Sequence, residues 1–123
     1  MAVVNHVEKK AKITFNAAVQ FQIITHCFLS GINLSTSEID CLVLLAIEGE
    51  QELNVFCQKA TTLKLFKSAQ TVRNTIGKAE KYNLIIKEGK SKKKIYLNPN
   101  MKIQTKGNIF LDYKFISVEA VKS

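Results

Sequence analysis

A chain of 123 residues, 46% of them hydrophobic, is long enough to enclose one hydrophobic core and too short for two domains. Its 18 basic residues against 10 acidic ones leave a net charge of +8, which suggests a polyanionic partner. No 18-residue apolar run is present and residues 1–12 lack a signal-peptide core, so neither a membrane span nor export is expected and a cytoplasmic location is.

Residues 1–12 are polar and read as a flexible N-terminus. Over residues 15–30, Phe15, Ala18, Val19, Ile23 and Phe28 recur at mixed spacings of three and four, which predicts a helix ending before Gly31 and either buried or facing a partner. Ser35 with Glu38 three residues later has the spacing of a capping box. A central core helix is expected to follow, carrying Ile39, Leu42, Val43, Leu45, Ala46 and Ile47 and closed by Gly49. Residues 52 to about 64 predict a third helix with Leu53, Phe56, Cys57, Ala60 and Leu63 on one side.

A turn near Phe66 and Lys67 leads to Ser68, a favourable N-cap. The helix predicted over residues 69–82 buries Val72, Ile76 and Ala79, with Thr75 beside them, and turns Gln70, Arg73, Asn74, Gly77 and Lys81 to the opposite face. Asn83 suits the left-handed position that ends a helix. Residues 84–87 then read as a strand, 88–93 as a turn around Gly89, and 94–97 as the returning strand, which the only proline, Pro99, breaks. Residues 102–113 are expected to add another strand or a short tail helix. Four helices followed by strand, turn and strand give a mainly α fold with a small β-hairpin, an α+β domain over residues 13–107 with a C-terminal tail over 108–123.

Charge is concentrated within this plan. From Lys59 to Lys94 there are eleven basic residues against Glu80 and Glu88, a local balance of +9, so the rest of the chain carries −1. With few compensating acids, one face suited to phosphate is expected. A helix that enters a major groove needs polar, hydrogen-bonding residues opposite its packed face. Lys67, Ser68, Gln70, Thr71, Arg73, Asn74 and Lys78 supply them: Gln and Asn pair with adenine, Arg with guanine. Gly77 removes side-chain bulk where a groove wall would approach. Lys90, Ser91, Lys92, Lys93 and Lys94 crowd one hairpin tip, where the lysines repel one another unless phosphates neutralise them; the plain alternative is a solubilising hairpin.

Other chemistry is thin. Cys27, Cys41 and Cys57 are widely spaced among apolar residues and form no CxxC pair, so they read as reduced core residues rather than metal ligands. The five glycines are scattered singly and make no phosphate-cradling loop. His6 and His26 have no nucleophile and orienting acid at recognisable spacing. Glu48, Glu50 and Glu52 read as the solvated end of a helix, a weak divalent-cation site being the alternative. No enzyme activity, cofactor or metal is expected.

Leu34-Ser-Thr-Ser-Glu-Ile-Asp-Cys-Leu42, Thr71-Val-Arg73, Ala79-Glu-Lys-Tyr-Asn-Leu-Ile85 and the lysine-rich hairpin together resemble a MarR-type winged helix-turn-helix domain. Lys94-Ile-Tyr-Leu-Asn-Pro-Asn100, with Gly107 downstream, resembles the wing and exit of RepL-like plasmid replication proteins. The resemblance covers residues 34–107 and implies double-stranded DNA binding, with residues 68–82 as recognition helix, the hairpin as wing, and a homodimer joined through residues 15–30. Two departures stand out: the segment 53–68 is longer than the usual helix and turn, and the tail after Gly107 lacks a long periodic helix. The implied role is transcription regulation or plasmid or phage replication. The alternative is a winged-helix interaction or structural module, such as a phage particle component, touching nucleic acid non-specifically.

Overall fold

A computed structural model describes residues 14–107, 109 and 116–117, and for Lys92 the backbone alone. The expected flexible N-terminus lies outside the described residues, as does nearly all of the expected C-terminal tail. The chain is mainly helical with a small three-stranded antiparallel sheet.

Helix α1, Phe15–Leu29, starts where the Thr14 hydroxyl accepts from the Ala17 amide, satisfying one free N–H group. It ends where Gly31 takes a positive φ of 69° and the Ile32 amide reaches back to the Cys27 carbonyl at 2.8 Å, the closure that a left-handed residue permits. The predicted capping box heads helix α2, Thr36–Glu48: the Glu38 amide donates to Ser35 Oγ, and the Ser35 amide donates to Glu38 Oε1 at 2.8 Å. Its buried Ile39, Cys41, Leu42, Val43 and Leu45 make it the central helix, packed against α1 and, further along the chain, against the next two helices and the last strand.

Strand β1, Gln51–Glu52, was not expected from the sequence. Helix α3 is therefore Leu53–Thr62, starting one residue later and ending two earlier than the apolar pattern predicts. Its end is set by Lys64 at φ 61° and the Leu65 amide bonded to the Ala60 carbonyl, the same closure as in α1 with lysine where glycine is usual. Helix α4, Ala69–Lys81, is capped by Ser68 and buries Val72, Thr75, Ile76 and Ala79, with the Thr75 hydroxyl satisfied by the Thr71 carbonyl. Asn83, at φ 62°, closes it as expected.

Strands β2, Ile85–Glu88, and β3, Lys94–Leu97, form the predicted hairpin around Gly89 at φ 91°. A 3-10 turn over Lys90–Lys92 makes its tip. The sheet order is β1-β3-β2, so β3 is central: Glu88 and Glu52 both stand opposite Lys94, one on each side. Residues 102–107 form neither the strand nor the helix expected there. They run past α1, where the Gln22 side chain both donates to and accepts from the Gln104 backbone, at 2.9 and 2.6 Å.

One core joins α1, α2, α3, α4 and the hairpin through Val19, Ile23, Leu42, Phe56, Ile76, Leu84 and Ile95. All three cysteines are free and buried within it. Burial pushes the Cys41 thiol up to about 12, with the neighbouring Cys57 and Glu38 adding to the effect, and burial likewise raises Cys27 and Cys57. No described helix is long and apolar enough to cross a membrane.

Candidate nucleic-acid interface

Helix α4 presents two unlike faces because its apolar residues recur at helical spacing. Val72, Thr75, Ile76 and Ala79 pack inward, which leaves Gln70, Arg73, Asn74 and Lys81 exposed. Gln70 and Asn74, one turn apart, are joined by a hydrogen bond from Gln70 Nε2 to Asn74 Oδ1 at 3.0 Å, which holds their amides in fixed orientation and leaves the Asn74 amide hydrogens and the Gln70 carbonyl oxygen for another partner. A Cβ added at Gly77 would meet nothing within 4 Å, so the fold does not demand glycine there.

The other residues expected on this helix take varied positions. Ser68 is occupied as the cap: its Oγ accepts from the Thr71 amide and lies 3.0 Å from the Thr71 hydroxyl, so both side chains serve the helix start while staying exposed. Lys67 is exposed just before it. Arg73 sits on the flank nearest α3, where its Nη2 donates to Asn54 Oδ1 at 3.0 Å. Nothing in the linear sequence couples Asn54 to Arg73, and sequence reasoning did not find it.

Lys78 is turned away from the group. Its Nζ pairs with Glu38 Oε1 at 3.0 Å, tying α4 to the capping box of α2. Burial alone would raise the Glu38 carboxyl, but the Ser35 amide and the Lys78 ammonium outweigh it and hold the group below its ordinary value of 4.5. A depressed carboxylate contributes stability that is complete above its unfolded value and lost as pH falls through the folded one. Glu38→Ala should therefore cost about 1–2 kcal/mol at neutral pH, from a lost cap and a half-exposed ion pair. Chemical denaturation of both proteins at pH 7 and at steps below pH 4.5 tests this: the gap should narrow as the pH falls and the carboxyl takes up its proton.

Lys78 is one of three cations in the basic stretch that have anionic partners among the described residues. Lys59 pairs with Glu48 at 2.9 Å and Lys87 with Glu80 at 3.6 Å. Few compensating acids were expected, yet two of the three carboxylates come from α2, outside the stretch. Glu48 is thus partnered rather than simply solvated, and among the described residues no group of three or more His, Cys, Asp or Glu is placed to hold a metal ion.

At the hairpin, Lys90, Ser91, Lys93 and Lys94 are exposed; the Lys92 side chain lies outside the described residues. Ser91 adopts φ 60°, a left-handed conformation that turns the tip sharply. Lys94 differs from its neighbours, because residues directly opposite on adjacent strands stand about 5 Å apart at Cβ and both of its neighbours, Glu52 and Glu88, are carboxylates. Lys90 and Lys93, at the tip, have no such strand partners. Glu88 also accepts from the Tyr96 hydroxyl at 2.6 Å, a bond that raises the phenol above its ordinary value.

The structure thus brings Gln70, Arg73, Asn74 and Lys81 together on one exposed face, with Lys67 and Ser68 at its start, and sets Lys90 and Lys93 on a separate projecting turn. In comparisons with protein-family models, curated proteins and solved structures, no match to this chain was found.

Proposed function

We propose that this chain is a winged helix-turn-helix protein that binds double-stranded DNA, α4 lying in the major groove and the β2–β3 hairpin acting as a wing on the phosphate backbone. Its role is transcription regulation or replication of a plasmid or phage genome. The exposed face of α4 supports this function: four hydrogen-bonding side chains, two of them amides already held in orientation, stand opposite a fully packed face and carry the groups that distinguish bases in a major groove. The succession α2, β1, α3, α4, β2, β3 with sheet order β1-β3-β2 accords with a winged helix, and the long segment 53–68 divides into α3 and a turn that Lys64 opens at positive φ.

A second copy of the chain is the proposed partner on α1. Phe21, Ile24 and Phe28 form an exposed stripe along that helix, Phe28 being 80% exposed. Helix α1 contains no Asp, Glu, Lys or Arg, so two chains each carrying +8 would meet there without opposing like charges. The stripe borders a groove of about 310 Å³ lined by Ile24, Phe28, Ile32 and Leu34.

Selection of bound duplexes from a randomised pool, at stated salt, tests base reading. A recovered motif, arranged as an inverted repeat for a two-fold dimer, is the expected result. Retention of DNA with no enriched sequence would favour the interaction or structural module, whose basic surface holds nucleic acid without choosing it.

A further inference from the structure

The contact between α3 and α4 joins two exposed side chains, Asn54 and Arg73, nineteen residues apart, by a single hydrogen bond of 3.0 Å. An exposed hydrogen bond of this kind adds little to stability, because water would satisfy both groups equally well. Its effect is on geometry. An unrestrained arginine samples many rotamers and must lose that freedom when it docks on a base edge.

Asn54 itself is well anchored. It is the second residue of α3, directly after Leu53, whose amide donates to the Lys93 carbonyl at 2.6 Å, and after β1, which pairs with β3. The first turn of α3 is thus fastened to β3 where that strand leaves the hairpin tip. The Asn54 carboxamide transmits that position to the guanidinium. One of the five guanidinium N–H groups is taken by Asn54, and the other four remain for a partner.

We propose that Asn54 is a positioning residue that holds Arg73 in the orientation needed to read a guanine, so that α3 and the start of β3 set the specificity of α4. This rests on the DNA-reading function proposed above. Guanine is the base that offers two acceptors, O6 and N7, to an arginine fork, and a fork held in advance discriminates better than a mobile one.

The test compares the selected duplex with one in which the base pair read by Arg73 is changed, using the full chain, Asn54→Ala, Asn54→Asp, Arg73→Ala and the double alanine variant. Asn54→Ala should reduce the discrimination between the two duplexes by about three- to tenfold, with melting temperature and salt dependence unchanged. Asn54→Asp, which keeps an acceptor at the same place, should retain discrimination while its charge weakens both complexes. In the Arg73→Ala background, Asn54→Ala should change nothing further. Independent, additive losses, or full discrimination in Asn54→Ala, would overturn the positioning role and leave base reading by α4 intact. A wild-type chain that prefers no duplex at all would overturn both.

Discussion

Phe56→Ala should destabilise the protein by about 3–5 kcal/mol, the usual cost of emptying a fully enclosed aromatic site. Phe56 is 0% exposed and lies in the single core that joins all four helices to the hairpin. No second core is present among the described residues to hold part of the fold if this one loosens. Since a domain of this size is stable by only about 5–15 kcal/mol, such a loss would leave a substantial unfolded fraction on mild heating. Urea unfolding should show a midpoint shifted strongly downward with an unchanged slope. The adjacent Val55, which is 50% exposed, provides the control: Val55→Ala should stay within about 0.5 kcal/mol of wild type. A cost below about 1 kcal/mol for Phe56→Ala would mean that the site collapses around the smaller side chain and that α3 is not fixed through it.

The second large effect concerns the hairpin, and it separates lysines that look alike in the sequence. Each phosphate neutralised by a protein cation steepens the dependence of log K on log salt by about 0.9. Lys90→Ala with Lys93→Ala should therefore flatten that dependence by about 1.8 if both touch the backbone. Lys94→Ala should flatten it by less than about half a unit, because Glu52 and Glu88 stand directly opposite Lys94 on the two neighbouring strands and would compete with a phosphate for it. Equal effects from all three positions would show that the carboxylates on the neighbouring strands do not temper Lys94. No change in the Lys90 and Lys93 variant would remove the wing from the interface.

This distinction also shows where the sequence was informative. Helix α2 was legible because Ser35 and Glu38 carry a local signal that needs no tertiary partner, and β3 because apolar Ile95 and Leu97 alternate between a lysine run and a proline. The two-sided character of α4 followed from Val72, Ile76 and Ala79 at helical spacing, and Ser68 marked its start. Strand β1 was not legible: two residues carry no periodicity, and Gln51 and Glu52 are extended only because β3 offers them an unpaired edge. The environment of Lys94 depends on that strand, so it was hidden as well. Lys64 in the left-handed position is another case, since lysine gives no turn signal of its own and the apolar pattern runs on to Leu63.

Contacts distant in sequence escaped for the same reason. Lys78 meets Glu38 across forty positions and Arg73 meets Asn54 across nineteen, both set by how the helices cross. They divide the linear basic stretch into cations that brace the fold, Lys59, Lys78 and Lys87; Arg73, held from α3; and cations left exposed, such as Lys67 and Lys81 about α4 and Lys90 and Lys93 at the tip. A count of +9 does not by itself measure what a polyanion would meet. The exposed remainder is smaller and more directed.

The most direct test of duplex binding through this remainder is an equilibrium titration of a labelled random-sequence duplex with the wild-type chain over stepped salt concentrations. Saturable binding is expected, with a dissociation constant of about 1–100 μM at physiological salt and a log–log salt dependence several units steep. Absence of binding at low salt, or affinity that does not change as salt rises, would contradict it.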